Sequence, residues 1–538
     1  MLNKIWIALL VIGIIAALAG DVSDSVSGKF RNGRPLPVTI KFNKAPLGGK
    51  ADAEIEVGKS DFGKFYSKNI TAPYTQKAVI TFAGKNNEAA VVITTDEHTP
   101  SVWKEMAKGA GSSADLTGRL NITSKTDSLN YKADLILENV SFIRMQSVTT
   151  SAFDAAKTAV TIAIGLIGIM ALWLGIMKVA EEAGILKSIA NALRPVTKFL
   201  FPEIPQDHPA MGAMVMNMSA NMLGLGNAAT PFGLKAMEEL DKLNTEKGTA
   251  TNAMCTFLAV NTAGLTLIPA TAIAVRAASG SANPGIIIGT SIFGAGCATI
   301  AGITAAKIFE RISAKNNDPK ALFKFILKTL GIFALLVIAV LLIIKSGVLS
   351  SSNGTAASVL KDILQIVSVV AIPLVILIFV SLAFIRKVKV YESFVEGAKE
   401  GFNVALKIIP YLVAMLCAIA VFRSGGGMDF LVMLLTPVTN LIGMPAEALP
   451  MAFLRPLSGS GSLGLMSEIM ATHGPDSFLG VLVSTMFGST ETTFYVIALY
   501  FGSVNIKRTR HALAAGLIAD LAGMLGALFI VKLLFGLL

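Results

Sequence analysis

The amino-acid sequence predicts a polytopic α-helical membrane protein that carries a small all-β domain. The chain has 538 residues, of which 53% are hydrophobic and 15% are charged, and its mean hydropathy is +0.65. This composition excludes a single soluble globular protein and a disordered chain. Several apolar segments reach the ~20 residues that a helix needs to cross a bilayer, whereas residues 26–148 contain none of them.

Charge and cysteine content exclude two further classes of function. The net charge is +11, but residues 20–150 hold 17 Lys/Arg against 14 Asp/Glu, so we expect no nucleic-acid partner. The other basic residues cluster between apolar segments, a pattern that fixes orientation in a membrane. The three cysteines have no Cys or His neighbour at ligand spacing, so we expect neither a disulfide nor a metal site, and no cofactor.

Residues 1–19 form the first apolar segment. Lys4 precedes an apolar run that closes with Ala17, Leu18 and Ala19. This pattern fits a cleaved signal peptide with a small-residue exit, and it also fits an uncleaved first transmembrane helix. Composition alone does not decide between the two.

Residues 26–148 are predicted to form a small antiparallel β domain, either a sandwich or a barrel. Six short segments alternate apolar and polar residues and are separated by Gly, Asn, Lys and Ser. Alternation with a period of two is typical of strands that bury one face. The domain has no Cys and only His98, and we expect no catalytic site in it. The six segments are PVTIKF, ADAEIEV, KAVITF, AAVVITT, GRLNIT and KADLILENVSFIRM.

Eight more segments are predicted to span the membrane, which makes nine with the first. They are 155–178, 249–275, 284–307, 325–345, 361–385, 404–422, 477–501 and 511–537. Basic residues are enriched in cytoplasmic loops, and placing every basic cluster in the cytoplasm leaves loops 276–283, 346–360 and 423–445 outside. The β domain then lies outside the cytoplasm of a bacterial inner membrane. The predicted domains are 1–19, 26–148, a membrane repeat at 150–310, linking helices at 320–388 and a second repeat at 390–538.

In this topology, the apolar segments 209–240 and 446–470 each begin and end on the same side of the membrane. A spanning helix cannot do so, and we therefore predict two re-entrant hairpins. The predicted breaks are Gly224, Gly226, Asn227 and Pro231 in the first, and Pro456, Gly459 and Gly461 in the second. Non-helical backbone at membrane depth is tolerated only inside protein or beside a watery cavity, which makes both hairpins candidates for a binding site.

The two halves of the membrane region match each other. LRPVTKFL at 193–200 parallels LTPVTNLI at 435–442, and GLKAMEEL at 233–240 parallels GLMSEIM at 464–470. By the charge argument, the first half begins outside and the second begins inside. The halves are therefore predicted to form an inverted-topology repeat, the architecture with which secondary transporters build a site at the membrane midplane.

Several long motifs resemble known bacterial membrane proteins. Motifs similar to spore maturation protein A are MLNKIWIALLVIGIIAALAG at the start, AFDAAKTAVTIAIGLIGIMALWLGIMKVAEEAGIL at 152–186 and NMSANMLGLGNAATPFGLKAM at 217–237. Motifs similar to spore maturation protein B are RPLSGSGSLGLMSEIM at 455–470 and STMFGSTETTFYVIALYFGSVNIKRTRHAL at 484–513. The chain thus resembles a fusion of the two, with the β domain inserted. Both proteins belong to the nucleoside-recognition, or Gate, group, which is also similar to concentrative nucleoside transporters and to the gate of ferrous-iron permeases.

The resemblance implies that the first segment is retained as a helix. It also implies that the hairpin tips, and an interrupted helix facing each tip, form a substrate and ion site. It does not make the substrate a nucleoside, because the group name describes a shared fold. The expected ligand is a small polar solute, with Na⁺ or H⁺ as the coupling ion.

Polar residues inside a bilayer are costly unless they are partnered, which makes them candidates for a functional site. In the first half, the candidates are Asn217, Asn221, Asn227, Thr230, Asn261, Thr262 and Thr266. Amide and hydroxyl groups suit a neutral polar solute or, through their oxygens, a sodium ion. The alternative is that these residues cap half-helices and hold helices together.

In the second half, the candidates are Arg455, Ser458, Ser460, Thr490, Glu491 and Thr492. Glu491 is predicted near the middle of the 477–501 span, where a carboxylate must be neutral, partnered or opposite a bound cation. Arg455 is the expected partner, and the pair is either structural or active in substrate binding or proton coupling. Asp520 is predicted at a similar depth but ranks behind Glu491, because we expect no polar cluster around it.

The leading hypothesis for function is a transporter or permease that moves a small polar solute between the two hairpins. The alternative is a non-transporting scaffold or spore-maturation-type assembly factor, in which the exported β domain recruits an envelope protein. Enzyme activity is not expected, because no nucleophile, base and orienting group recur at usable spacing. The expected partners are the lipid bilayer, the solute, an envelope protein and a second copy of the chain.

Overall fold

The structure is a computed structural model that describes most of the chain. The described residues are 2–44, 49–66, 73–82, 88–109, 115–224, 226–313, 327, 331 and 356–537. The predicted span at 325–345 lies outside them, apart from Leu327 and Gly331. The chain divides into two compact units. The barrel unit is Ile5–Ala155 with Cys417–Leu431, and the helical unit is Met1–Lys4 with Ala156–Leu416 and Val432–Leu538.

The first apolar segment forms one continuous helix, α1 (Leu2–Val26). Its residues from Trp6 to Val26 are apolar enough to cross a membrane. The helix runs past Ala19 without interruption, since no Pro breaks its run of Leu, Ile and Ala. Retention of the segment in the mature protein stays a prediction.

Among the described residues, six strands of the barrel unit close into an antiparallel barrel. The strands are β1 (Leu36–Phe42), β2 (Lys50–Val57), β3 (Tyr74–Phe82), β4 (Glu88–Thr94), β5 (Asp115–Lys125) and β6 (Asn130–Leu137). Each strand pairs with the next, and β6 pairs back with β1, where Val38 lies opposite Ala133. The predicted β domain is confirmed, and the barrel is the form that it takes.

The period-two alternation of the sequence becomes an alternation between barrel interior and surface. β1 and β4 both bury every second residue. Two short helices that the strand pattern does not predict, α2 (Lys59–Tyr66) and α3 (Ser101–Gly109), add Phe62 and Trp103 to the core. Trp103 Nε1 donates a hydrogen bond of 3.1 Å to Tyr66 Oη, so the polar atoms of both buried rings are partnered.

The remaining helices of the described chain follow in sequence order. They are α4 (Ile143–Glu182), α5 (Ile185–Leu200), α6 (Pro209–Met222), α7 (Gly226–Lys242), α8 (Asn252–Ala263), α9 (Ala270–Ala278), α10 (Ile287–Ser313), α11 (Ala356–Ile385), α12 (Val390–Ser424), α13 (Gly427–Ile442), α14 (Leu449–Leu457), α15 (Gly459–His473), α16 (Phe478–Ser489), α17 (Thr493–Ser503) and α18 (Ala512–Leu534). Five helical stretches of the described residues are long and apolar enough to cross a membrane, which confirms the polytopic helical class. They are Trp6–Val26, Ile143–Glu182, Pro284–Ile312, Val390–Ser424 and Ala512–Leu534.

The predicted continuous spans at 249–275 and 477–501 are wrong, because each is a pair of short helices. The first breaks between α8 and α9, where Gly264 takes a left-handed conformation (φ 56°) that ends α8. The second breaks between α16 and α17, where Thr490 is fully extended. A hydropathy window averages over such short breaks, whereas the resemblance correctly implies an interrupted helix in each half.

Both predicted hairpins form helix pairs, but several of the predicted breaks lie inside helices. The first hairpin is α6 and α7, which turns at Gly224 (φ 77°), and the second is α14 and α15, which turns at Ser458. Membrane helices tolerate Pro where neighbouring groups satisfy the backbone carbonyl that each Pro leaves without a donor. Helix α7 contains Gly226, Asn227 and Pro231, Pro456 lies in the last turn of α14, and α15 begins with Gly459 and Gly461.

The order of elements repeats within the helical unit and its adjoining helices. Helices α5 and α13 both have 16 residues, with Pro195 and Pro437 at the same, eleventh, position. Each is followed by a hairpin, an interrupted helix and a long apolar helix, which is α10 in the first half and α18 in the second. The internal repeat read from the sequence therefore appears in the order of the helices, while its inversion across the membrane stays a prediction.

Candidate functional site

The two interrupted helices contact each other at their breaks. The backbone N–H of Glu491 donates a 2.8 Å hydrogen bond to the carbonyl of Thr262. A Cβ atom on Gly264 would lie 2.7 Å from Cγ of Glu491, and the left-handed backbone at Gly264 also disfavours a side chain. Glycine at this position therefore allows two unwound segments, one from each half, to cross in direct contact.

The tip of the first hairpin packs on the first break. The backbone N–H of Leu267 donates to the carbonyl of Met222 at 2.8 Å. A second hydrogen bond, of 2.9 Å, runs from Asn221 Nδ2 to Asn261 Oδ1, and Asn261 Nδ2 in turn donates to the carbonyl of Phe257. Asn261 is thus held by its own helix α8, and its amide oxygen orients Asn221 at the hairpin tip.

The second hairpin packs on the second break through Arg455. Its Nη2 donates to the carbonyl of Thr490 and lies 3.5 Å from a carboxylate oxygen of Glu491. The guanidinium also stacks over Phe487, at 4.2 Å from the ring centroid. The side chain of Arg455 is 4% exposed and that of Glu491 is 47% exposed, so the cation is enclosed while the carboxylate faces open space.

That open space is a cavity of about 260 Å³ between the hairpin tips and the breaks. Its polar lining near the breaks comes from three residues of the first half and two of the second, which are Asn221, Thr266, Thr271, Arg455 and Glu491. The part lined by α4 and α12 adds the charged residues Lys178, Glu181 and Glu400. The volume lies just below the ~300–1,000 Å³ of ordinary ligand pockets, which fits a small solute.

A hydroxyl group caps the second half-helix of the second hairpin, whereas the residue before α17 at the second break makes no side-chain cap. Ser458 Oγ accepts a 2.9 Å hydrogen bond from the N–H of Gly461 at the start of α15, and Ser460 Oγ lies 3.4 Å from Ser458 Oγ. Thr492 precedes the first residue of α17.

The structure brings some of the predicted site residues to the cavity and gives others structural contacts. Asn221, Arg455 and Glu491 line the cavity, with Asn261 behind Asn221. Asn217 is fully buried instead, and its Nδ2 donates to the carbonyl of Ala229 at 2.9 Å and to Tyr500 Oη at 3.1 Å. The backbone carbonyl of Thr262 accepts a hydrogen bond from the N–H of Glu491, and that of Thr490 accepts one from Arg455. Thr230 is half-buried in α7, and the side chain of Asn227 lies outside the described residues.

Several residues at the site are missed by the sequence analysis. Phe487, Lys178, Glu181 and Glu400 line the cavity, although their positions in the sequence carry no signal that distinguishes them from packing or loop residues. The expectation that no polar cluster surrounds Asp520 is wrong. Thr493 Oγ1 donates a hydrogen bond to Asp520 Oδ2. The signal that could have indicated this contact is the polar motif STETT at 489–493, which supplies Thr493.

Two hairpins seated on two interrupted helices, around a cavity that both halves line, define a membrane protein of the Gate class. The Gate family, described as nucleoside recognition, matches residues 163–278 and 405–507, which contain both hairpins and both breaks.

The chain is 51% identical over 175 residues to Spore maturation protein B of Bacillus subtilis (strain 168), covering 98% of that protein and 32% of this chain. It is 48% identical over 167 residues to Spore maturation protein A of the same strain, covering 83% of that protein and 31% of this chain. The chain therefore belongs to the spore maturation protein A and B family and joins both members in one polypeptide. No solved structure matches the chain.

Proposed function

We propose that this protein is a transporter of the bacterial inner membrane that moves a small polar solute through the cavity between the two hairpins. The observation that carries the proposal is the polar lining of that cavity by both halves. Asn221 and Thr266 come from the first half, and Arg455 and Glu491 from the second. A site shared by two repeats, each with broken helices, is the arrangement with which secondary transporters alternate access.

The chemistry of the lining supports a neutral or zwitterionic solute. Arg455 supplies guanidinium donors, Glu491 a half-exposed carboxylate, and Asn221 an amide. Because the two opposite charges largely compensate each other, a solute with both donors and acceptors fits better than an ion of either sign. The family description points to nucleosides or their bases as the first members of that class to examine.

The contacts at the hairpin tips support a gating role for the hairpins. Among the described residues, the first tip is held to its break by few hydrogen bonds, including Asn221 to Asn261 and Leu267 to Met222. Small numbers of exchangeable hydrogen bonds suit an element that moves between two arrangements. Lys178, Glu181 and Glu400 line the part of the cavity on the side that the charge pattern assigns to the cytoplasm, which favours a cytoplasmic opening.

The experiment that tests the proposal uses the full-length protein reconstituted in lipid vesicles. Uptake and ligand-induced thermal stabilisation would be measured over nucleosides, nucleobases, amino acids and polyols. Arg455→Gln and Glu491→Gln should each reduce uptake of an active solute by roughly tenfold or more, because a hydrogen bond to a charged group is worth about 1.5–3 kcal/mol.

The matched control is a surface ion pair, Arg508 with Glu246, whose side chains are 78% and 70% exposed and 3.8 Å apart. Arg508→Gln and Glu246→Gln should leave uptake unchanged. If the folded wild type neither binds nor moves any solute of the panel, the transporter proposal fails. The scaffold alternative predicts instead a phenotype that depends on residues 26–148 and is indifferent to Arg455→Gln.

A further inference from the structure

Asp520 lies on the face of α18 that meets both helix breaks. Gly516, Asp520 and Gly523 follow at spacings of four and three residues, which places them on one face of the helix. Asp520 is 2% exposed. One carboxylate oxygen, Oδ2, accepts a hydrogen bond from Thr493 Oγ1, whereas Oδ1 has no hydrogen-bond partner among the residues that the structure describes.

The two glycines on this face bring threonines from both breaks next to Asp520. A Cβ atom on Gly516 would lie 2.9 Å from Thr493 Cγ2 and 3.4 Å from Thr262 Oγ1. A Cβ atom on Gly523 would lie 2.5 Å from Thr490 Cγ2. The absence of side chains at 516 and 523 therefore lets three threonines approach α18 on either side of the carboxylate.

Two of these threonines, like Asp520, are buried and have a side-chain oxygen without a hydrogen-bond partner among the described residues. Thr262 and Thr490 are each 1% exposed, and within the described part of the chain neither Oγ1 has a hydrogen-bond partner. Buried polar oxygens without partners are rare, because each loses its water without compensation. Three such oxygens, one on Asp520 and two on threonines that pack against its helix, point to a ligand that interacts with oxygen lone pairs.

The carboxylate of Asp520 favours a cation as that ligand, because a buried carboxylate is costly unless a positive charge compensates it. Helices α8 and α16 end at the breaks with partial negative charge, whereas α17 begins there at Thr493 with the opposite, positive end. Arg455 is the positive side chain near Asp520, but its Nη2 is already engaged by the carbonyl of Thr490 and by Glu491. Among the described residues, no cation forms an ion pair with Asp520, and its hydrogen bond comes from the neutral hydroxyl of Thr493.

We propose that Asp520, together with the hydroxyl groups of Thr262, Thr490 and Thr493, binds a sodium ion. A donor set made only of oxygens suits a hard cation, and one carboxylate neutralises one positive charge. The proposal rests on the proposed transport function, for which it supplies the coupling ion.

The position of this site also couples sodium binding to the arrangement of the solute cavity. Thr490 accepts the hydrogen bond of Arg455 through its carbonyl, and Thr262 accepts that of the Glu491 backbone. A sodium ion held by the side chains of these two threonines would fix both breaks in place. The same two threonines hold Arg455 and the backbone of Glu491 through their carbonyls. Sodium binding therefore orders the solute cavity without touching the solute.

The test is thermal unfolding of the purified full-length protein in sodium chloride, potassium chloride or choline chloride at equal ionic strength, with no solute added. We expect saturable stabilisation by sodium alone. Asp520→Asn should abolish this stabilisation and should itself be at least as stable as wild type in choline chloride, because it removes an uncompensated buried charge. Thr490→Val and Thr262→Val should weaken the apparent sodium affinity roughly tenfold each, since each removes one oxygen ligand.

Two control variants separate ion binding from general destabilisation. Thr299→Val removes a hydroxyl of α10 that bonds to the carbonyl of its own helix, and Asp429→Asn removes an exposed carboxylate of the barrel unit. Both should keep the full sodium response. If Asp520→Asn does not fold, the two threonine variants decide the question.

Equal stabilisation of wild type by sodium and potassium overturns the proposal, as does a full sodium response in Asp520→Asn. Stability that follows pH but not sodium also overturns it and assigns Asp520 to proton binding instead. Because no solute is present, a negative solute panel leaves this result unaffected. Solute uptake without any sodium response refutes the sodium site alone.

Discussion

Arg455 illustrates how single residues carry the charge of the site. Its guanidinium is enclosed by a backbone carbonyl, a carboxylate and an aromatic ring, so it keeps its charge with little contact with solvent. Arginine suits this position because its planar group can stack on Phe487 and donate in its plane at the same time. A lysine could make at most one of these contacts well.

Replacing the aromatic partner tests this residue-scale account. Phe487→Leu should destabilise the protein by about 1–2 kcal/mol, because it removes the ring face from a desolvated cation. The matched control is Phe453→Leu, whose ring is 61% exposed on the neighbouring helix α14. Thermal unfolding of both variants in the same detergent gives the comparison, and equal losses would contradict the stacking contribution.

In the barrel, Tyr66 gives a pH-dependent prediction. Burial raises the pKa of Tyr66 to about 12, against the opposing hydrogen bond from Trp103. An unfolded chain loses this proton near pH 10, so the stability contributed by neutral Tyr66 is present below pH 10 and is lost as pH rises towards 12. We expect wild type to lose about 3 kcal/mol more than Tyr66→Phe over this range.

The measurement is denaturant unfolding followed by the fluorescence of Trp103, with Trp6 and Trp173 replaced by Phe in both proteins. Other tyrosines titrate equally in the two proteins, so their contribution cancels in the difference. Parallel pH profiles for wild type and Tyr66→Phe would show that burial of Tyr66 does not perturb its ionisation.

At the scale of elements, the two halves contact each other through the breaks in their interrupted helices. Each break ends one half-helix and begins another, and the two breaks pack against each other at Gly264 and Glu491. The contact depends on backbone shape, since Gly264 is left-handed and has no room for a side chain. A substitution there should therefore disturb both halves at once.

Gly264→Ala should cost about 2–4 kcal/mol, of which ~1–2 kcal/mol is backbone strain and the rest is overpacking against Glu491. The matched control is Gly248→Ala, because Gly248 is also left-handed (φ 80°) but has open space around its Cβ position. Gly248→Ala should show the backbone strain alone. Thermal unfolding and solute uptake should both separate the two variants, and indistinguishable values would mean that the breaks do not pack as described.

At the scale of the whole molecule, one buried arginine links the two halves away from the breaks. Arg276, at the end of α9, donates to Asp476 at 2.8 Å and to the carbonyl of Pro475, in the loop before α16. Although burial opposes it, hydrogen bonds from Ser281 and Ala282 and the charge of Arg276 lower the pKa of Asp476 below its ordinary value. The halves are thus linked at the breaks and again at this loop.

The inverted arrangement of the halves predicts where added thiols are accessible. In a chain with Cys255, Cys297 and Cys417 replaced, single cysteines at two exposed positions, Thr245 beyond the first hairpin and Ala471 in the last turn of the second, should label from opposite sides of the membrane. A third at Ser128, in the turn between β5 and β6, should label from outside if the barrel is extracytoplasmic. Impermeant maleimide on oriented cells or vesicles is the measurement. Labelling of Thr245→Cys and Ala471→Cys from the same side would refute the inverted repeat.

Much of this architecture could be predicted from local sequence patterns. Alternation marks all six barrel strands, apolar length marks α4, α10, α12 and α18, and the matching Pro motifs of α5 and α13 mark the repeat. These patterns are readable because each depends on the period of one element or on a similarity within the chain. The Arg455–Glu491 contact was also anticipated, since two opposite charges in an apolar region need each other.

Local patterns did not determine the contacts between distant segments. That Gly264 lies against Glu491, that Asn217 bonds Tyr500 rather than facing the cavity, and that Thr262 and Thr490 meet beside Asp520 depend on how the hairpins and breaks pack. The amino-acid sequence alone determined the membrane class through composition, the β domain through alternation and the two-part plan through matching motifs within the chain. The cavity and the packing of the threonines around Asp520 were decided by tertiary structure alone, because both consist of close approaches between residues far apart in the chain. Such approaches leave no periodic pattern in the sequence.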